Sequence, residues 1–517
     1  SSGISGSASN LILRYNCVYG NAAENYSGIA DPTGTNGNIS ADPGLAGRQY
    51  GRWHIRPSSP CVDAGDDNVV DTGSVDLDGQ ARIQGLHVDI GADESDGMDP
   101  PTGPNAIVRV SPDGNDANDG ASWALAKRTV QAGIDAVSVL GGDVWVQAAT
   151  YPEQITLRHF VHVYGGFDGT ELARDQRDFG SNMTVLDGQQ GGSVVTAESA
   201  GHRICTIDGL TIRNGTGMVS ESYRYGGGIY CSYSSPVITN SIIAGNSASS
   251  GGGIFCRSSS PMISNSTISG NTAAGGGGAI HCWWSCSPTI TNNLITGNAG
   301  YKGAGLYFEF DSSAEITNTI IAFNSSGVLG EADTLTMRSN CVYGNLEYDY
   351  AGVDDPTGTN GNISADPLFV RQASPGLDGQ WGTADDDYGD LRLLAGSPCI
   401  DAGDNTAVPA DITDLDGDGD ITEPIPFDLA GVPRFIDDLL TPDTGLGTPP
   451  IVDMGAYEYA PVTLQSSNPA AGRSLWRNRR NIIRLTFDAD IAAPDAGAVM
   501  IQEMLAGGTY GDDLSAG

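Results

Sequence analysis

The most regular alternation of apolar and polar positions lies between residues 225 and 324, where one pattern is written four times. The segments read YGGGIYCSYSSPVITNSIIAGNSAS, SGGGIFCRSSSPMISNSTISGNTAAG, GGGAIHCWWSCSPTITNNLITGNAG and KGAGLYFEFDSSAEITNTIIAFNSS. Cys231, Cys256, Cys282 and Phe308 fall 25, 26 and 26 residues apart, and Asn240, Asn265, Asn292 and Asn318 fall 25, 27 and 26 apart. A period of that length marks a repeat architecture. Each unit holds three short runs rich in Ile, Val and Thr, separated by Gly, Ser, Asn and Pro, and none sustains a helical period long enough for a helix pair. Three strands per coil of about 25 residues are therefore predicted. Stacked coils pair each strand with its equivalent at roughly 4.8 Å, so that like positions form ladders along one axis.

Alternation assigns the faces. Ile229, Ile254, Ile280 and Leu306 turn inward with Cys231, Cys256, Cys282 and Phe308. Tyr230, Phe255, His281 and Tyr307 then form an outward row, flanked two residues on by Ser232, Arg257, Trp283 and Glu309. Asn tolerates the left-handed backbone of a tight bend, and stacked amides can bond along the axis, so Asn240, Asn265, Asn292 and Asn318 are predicted to form a structural ladder.

With these residues the chain resembles the right-handed parallel β-helix, or pectate-lyase-like, superfamily. The string Gly277-Gly278-Ala279-Ile280 and the Ile-x-x-Asn segments (Ile243 to Asn246, Ile268 to Asn271, Ile295 to Asn298, Ile321 to Asn324) are similar to the GGAI and FxxN repeats of polymorphic outer-membrane proteins, with Ile replacing Phe. The fold implied is all-β, a right-handed parallel β-helix.

A larger duplication orders the whole chain. YNCVYGN at 15–21 returns as SNCVYGN at 339–345, and DPTGTNGNISADP at 31–43 returns at 355–367. SPCVDAGDDN at 59–68 returns as SPCIDAGDN at 397–405, and VDIGADE at 88–94 as VDMGAYE at 452–458. Residues 1–95 are accordingly expected to be the closing coils of an upstream β-helix, 96–104 a linker, and 105–460 a second, complete β-helix. An amphipathic helix at about 128–140, with Val130, Ile134, Val137 and Leu140 on one face, is expected to cap that second copy. Residues 461–517 read as the start of an immunoglobulin-like sandwich, too short for the usual ~100 residues. The chain is thus expected to be a window of a larger tandem protein, monomeric within it. The opening of the second copy looks like that of many secreted bacterial β-helix proteins, which implies a secreted or cell-surface location.

Composition narrows the partners. Of 517 residues, 63 are Asp or Glu and 25 Lys or Arg, a net charge of −38. Such a surface repels phosphate backbones, which excludes nucleic acid, and disfavours acidic polysaccharides unless a cation bridges the two. No apolar run is long enough to span a membrane. Nine Cys lack zinc or redox spacing, and the stacked Cys231, Cys256 and Cys282 suit a buried thiol ladder or a bridge between neighbouring coils.

Two features carry candidate chemistry. The outward row Tyr230, Phe255, His281 and Tyr307, with Arg257, Trp283 and Glu309, either stiffens its sheet or stacks on sugar rings. Asp414, Asp416, Asp418 and Asp420, with Gly419 at position 6, reproduce the front half of a calcium loop, although position 12 is Ile425 rather than Glu. No residue is assigned as catalytic: the motifs of pectinolytic relatives do not occur, and only two lysines, Lys127 and Lys302, are present. The expected function is passive binding of a polysaccharide or cell-surface glycan, or adhesion, with calcium as the one candidate cofactor. The alternatives are a polysaccharide lyase or glycoside hydrolase acting through Arg257, His281 and Glu309, and a structural spacer.

Overall fold

In the computed structural model the predicted coils stack in register. The structure describes residues 106–137, 141–202, 205–220, 222–330, 335–379, 385 and 387–460, shorter stretches between 3 and 95, and four strands beyond 460. Two units are present, Ser1–Tyr459 and Ala460–Gly517. The expected linker at 96–104 lies outside the described residues.

Three parallel sheets of eight, nine and eight strands run the length of the β-helix. In the first, Ile229 pairs with Ile254, Ile254 with Ile280, and Ile280 with Leu306. The second stacks Ile238, Ile263, Ile290 and Ile316, and the third Ile243, Ile268, Ile295 and Ile321. All twelve side chains are fully buried and share one continuous core with Cys231, Cys256 and Cys282. The nine cysteines are free thiols, and the pKa of the stacked three is raised: at Cys231 by the bond to Cys256 and burial, at Cys256 by the bond to Cys282 and burial against the lowering bond to Cys231, and at Cys282 by burial first.

One element departs from three strands per coil. A fourth sheet joins Tyr223–Tyr225, Ser247–Ser250, Thr272–Gly276 and Ala299–Lys302, with Met218–Ser220 folded back antiparallel on the first of these. Three of its segments are small and polar (SASS, TAAGG, AGYK) and show no alternation, so the pattern that announces the other strands is missing from them. Their register shifts at the second and third steps of the sheet.

The Asn bend is in single file and left-handed as predicted, with φ of 49° at Asn240, 47° at Asn265, 54° at Asn292 and 50° at Asn318. Its amides do less along the axis than expected. Asn265 donates to Asn240 at 2.6 Å, but both amide atoms of Asn292 are without a hydrogen-bond partner. Asn318 instead exchanges two bonds with the backbone of Asp404, and Asn265 bonds Phe427 and Arg434, so this column holds the returning chain 397–459. The continuous amide ladder is the other one: Asn246, Asn271, Asn298, Asn324 and Asn345 each donate or accept at 2.9–3.0 Å inside the coil.

The capping helix spans Val130–Val137, with Val130, Gly133, Ile134 and Val137 buried; Leu140 lies outside the described residues. Gly133 is required there, because a Cβ would meet Val144 at 2.7 Å and Val110 at 2.8 Å. Glu153 accepts from the first two helical amides, Val130 and Gln131, at 2.8 and 3.1 Å.

The duplication is structural as well as sequential. Asp89 accepts from the amide of Asp63 at 2.6 Å and Asp453 from that of Asp401 at 2.7 Å. Glu94 accepts from Asp89 at 2.8 Å and Glu458 from Asp453 at 2.9 Å. Arg82 faces Glu94 at 3.7 Å, and Arg434 faces Glu458 at 2.7 Å. The second unit holds two antiparallel strand pairs, Leu464–Asn468 with Arg484–Phe487 and Gln502–Met504 with Tyr510–Asp513.

Asn298→Leu strands donors on Asn271 and removes the bonds to Ile268, Thr296 and Asn324, each unsatisfied group costing about 1–3 kcal/mol. Its denaturation midpoint is expected to drop sharply. Asn292→Gly, which removes an unpartnered amide and suits the left-handed bend, is expected to shift that midpoint little or upward.

Candidate functional site

The first sheet places Tyr230, Phe255, His281 and Tyr307 in one outward column, as its alternation requires. Tyr230 and Phe255 stack at 5.9 Å, Phe255 meets His281 edge-on at 5.2 Å, and His281 stacks on Tyr307 at 4.6 Å. The column does not face solvent. Exposures are 6%, 1%, 4% and 3%, because the fourth sheet folds across it. Tyr225 lies 4.7 Å from Phe255, and Gly276 approaches so closely that a Cβ there would meet Tyr307 at 2.5 Å. The expected exposed row is thus corrected to a buried one. The sequence signal was right about the face and silent about its cover, since the covering strands carry no pattern of their own.

Within the column, His281 Nε2 lies 3.1 Å from Glu309, whose other oxygen accepts from the Tyr307 hydroxyl. His281 Nδ1 has no partner. With Nε2–H donated to the carboxylate, a second proton would sit unpartnered in the interior, and burial accordingly holds the His281 pKa below its ordinary value, against the pull of Glu309. Bonds from His281 and Tyr307 overcome desolvation and keep Glu309 below the usual carboxylate range. Both Glu309 oxygens are taken, which makes this trio a clasp under the covering sheet.

Solvent meets rings one step further along each strand. Arg257, Trp283 and Glu309 are half-buried, and Tyr233, Trp284 and Phe310 are 51%, 49% and 50% exposed. The latter occupy the same position in their coils, two residues past Cys231, Cys282 and Phe308, with Ser258 at that position in the second coil, two past Cys256. All four are left-handed, with φ of 51° at Tyr233, 46° at Ser258, 67° at Trp284 and 51° at Phe310. The Arg257 guanidinium fills the gap above Ser258, 5.8 Å from Tyr233, 5.3 Å from Trp283 and 5.9 Å from Trp284. Trp284 lies 5.3 Å from Trp283 and 6.5 Å from Phe310. Alternation does not mark Tyr233, Trp284 and Phe310 although they stand in register, because left-handed backbone at this position breaks the two-residue period.

The calcium-loop candidates come together in part. Carboxylate oxygens of Asp414, Asp416 and Asp418 lie within 4.8 Å of one another, as do those of Asp411, Asp416 and Glu423. Burial raises Asp411 to about 6. Asp420 turns away: its oxygen accepts from the Thr422 hydroxyl and amide, which lowers its pKa. Oxygen-only ligands at this spacing suit a hard cation reached at 2.3–2.6 Å.

The family described as the right handed beta helix region matches residues 193–362. The chain folds as a right-handed parallel β-helix. A pectate lyase structure is similar at 14% identity, over 69% of this chain and 97% of that one, with a TM-score of 0.37. The deglycosylated pectin methylesterase of Aspergillus niger is similar at 14% identity, over 52% and 92%, with a TM-score of 0.28. No curated protein matches the chain.

A base whose folded pKa is depressed binds its proton more readily when unfolded, so stability is complete above the ordinary value of 6.5 and is lost as pH falls below it. Glu309, also depressed, adds a second loss below its ordinary 4.5. Compared with the unsubstituted chain, His281→Phe is therefore expected to lose less of its thermal midpoint as pH falls below about 6.5, and, because the His281 bond helps hold Glu309 down, to soften the loss below 4.5 as well.

Proposed function

We propose that this β-helix binds carbohydrate without acting on it, using the exposed rings Tyr233, Trp284 and Phe310 with Arg257 and Trp283 between them. One observation carries this: three bulky side chains hold left-handed backbone and half-exposed rings in the same column. Each such residue costs of order 1–3 kcal/mol relative to glycine-compatible alternatives, and strain of this kind collects at functional positions. Burial does not repay it here. Aromatic faces in a row, spanning three coil steps or roughly 14 Å, offer a sugar chain successive stacking surfaces.

The proposal places the protein outside the cell, secreted or surface-displayed, where a polysaccharide or a cell-surface glycan is the partner. Among the described residues no helix is long and apolar enough to cross a membrane. A net charge of −38 favours neutral glycans over uronates unless a cation intervenes. Calcium held by Asp414, Asp416 and Asp418 is part of the same proposal, as a stabiliser of the 411–423 loop. The enzymatic alternative loses support from the clasp geometry: Glu309 is occupied, His281 is buried, and Arg257 is engaged by rings.

Glycan-array screening followed by calorimetry tests this. The full chain is expected to retain a neutral polysaccharide, releasing neither reducing ends nor unsaturated products, and Trp284→Ala with Phe310→Ala to weaken binding about tenfold or more, from ~0.5–1.5 kcal/mol per stacked ring plus lost contact area. Binding unaffected by both substitutions, or binding to no glycan, defeats the assignment; product release would make the protein an enzyme.

A further inference from the structure

We propose that Asp401, Asp437 and Asp443 form a second divalent-cation site, built for calcium and distinct from the 414–418 loop. Their carboxylate oxygens converge within 4.8 Å of one another, a span that one ion bound at 2.3–2.6 Å bridges. Convergence of acids alone would mean little on so acidic a protein. The decisive residue is Asp401, which is fully buried and has no hydrogen-bond partner on either carboxylate oxygen.

Buried carboxylates are ordinarily hydrogen-bonded or paired with a cation. The molecule contains its own control for what this position requires. Asp63 is the equivalent residue in the first copy, with the same left-handed backbone at φ 52°. There the carboxylate accepts from the amides of Leu86 and His87 at 2.5 and 2.9 Å. In the second copy the residue matching Leu86 is Pro450, which has no amide hydrogen to give. The inserted segment delivers Asp437 and Asp443 to the same place instead. Neither Pro450 nor Ile451, which matches His87, donates to the Asp401 carboxylate, and two further carboxylates converge there instead, an arrangement that a positive ligand completes.

The site is held from several sides. Thr444 and Gly445 donate their amides to the Asp401 carbonyl at 2.9 and 3.0 Å, which fixes the chain next to Asp443. Asp438, beside Asp437, turns its own carboxylate onto Leu440 and Thr441 and does not compete. Burial, then repulsion from Asp437, Asp443 and Asp438, raises Asp401 to about 6. A retained proton therefore does not satisfy the site at neutral pH. Hard oxygen ligands exclude preference for soft metals, and the exposed loop that carries Asp437 and Asp443 suits calcium's flexible coordination better than magnesium's strict octahedron.

Calorimetric titration of the chelator-treated full chain with calcium alone tests the site, using Asp437→Asn with Asp443→Asn against Asp416→Asn with Asp418→Asn. Asp437 and Asp443 are exposed, so the first pair spares the core. It is expected to abolish one calcium equivalent, or weaken it at least tenfold, and to erase the calcium-dependent rise in melting temperature that this equivalent brings; the second pair is expected to keep both. In chelator the first pair should melt above the unsubstituted chain, because repulsion against Asp401 is relieved. Unchanged stoichiometry and affinity in the first pair, no calcium binding by the unsubstituted chain, or a lower melting temperature of that pair in chelator would each overturn the proposal.

Discussion

Axial register is the constraint from which the rest follows. A thin three-sided coil cannot bury its own backbone, so every strand must find its amide partners one coil above and below, and a slip of one residue would turn Ile229, Ile254 and Ile280 outward together. The amide ladder from Asn246 to Asn345 enforces that register from inside the turn. Each Asn accepts from the backbone and side chain of the coil before it while donating to carbonyls of its own coil and the one before. Stacking then propagates like upon like, and the thiols, isoleucines and rings form files because the register leaves them no alternative.

Once the rings are in file, they need a cover. Tyr230, Phe255 and Tyr307 would otherwise expose a continuous apolar stripe on a single face, the kind of patch that soluble surfaces avoid. The fourth sheet supplies the cover with chain too small and polar to pack on its own, and His281, Tyr307 and Glu309 close the edge where polar atoms must be satisfied. The same cover ends before Trp284 and Phe310, which is why apolar surface reappears at the rim of the sheet and nowhere within it.

Much of this was legible in the chain. The core files, the bend asparagines and the capping helix follow from period and alternation, which report side-chain burial directly. What stayed hidden was structure made by backbone or by distant chain. Ser247–Ser250 and Thr272–Gly276 pair without any side-chain pattern, so no reading of apolar positions could find them. The bend asparagines were expected to bond along the axis; Asn265 reaches Asn240, but the segment 397–459 also returns and captures Asn265 and Asn318, contacts between residues 86 and 169 positions apart. Of the four acids read as a calcium loop, Asp420 turns its carboxylate to the hydroxyl and amide of Thr422 and does not join the other three.

The two copies show which parts of the closing motif are fixed by packing and which are free to vary. Asp63 with Asp89 and Glu94, and Asp401 with Asp453 and Glu458, keep the same backbone-to-carboxylate bonds across 338 and 364 residues of offset. Their arginines do not keep the same depth. Arg82 stands 3.7 Å from Glu94 and remains 16% exposed, whereas Arg434 is 1% exposed, lies 2.7 Å from Glu458, and bonds Asn265 on the coil beneath. Burial of the second pair drives Glu458 up to about 7 and Asp453 well above its ordinary value, so the charges are tolerated only because Arg434 and several backbone amides converge on them. The motif of the second copy thereby fastens the returning chain to the Asn column, and the inserted segment 406–450 takes part in that fastening through Phe427, Asp428 and Arg434.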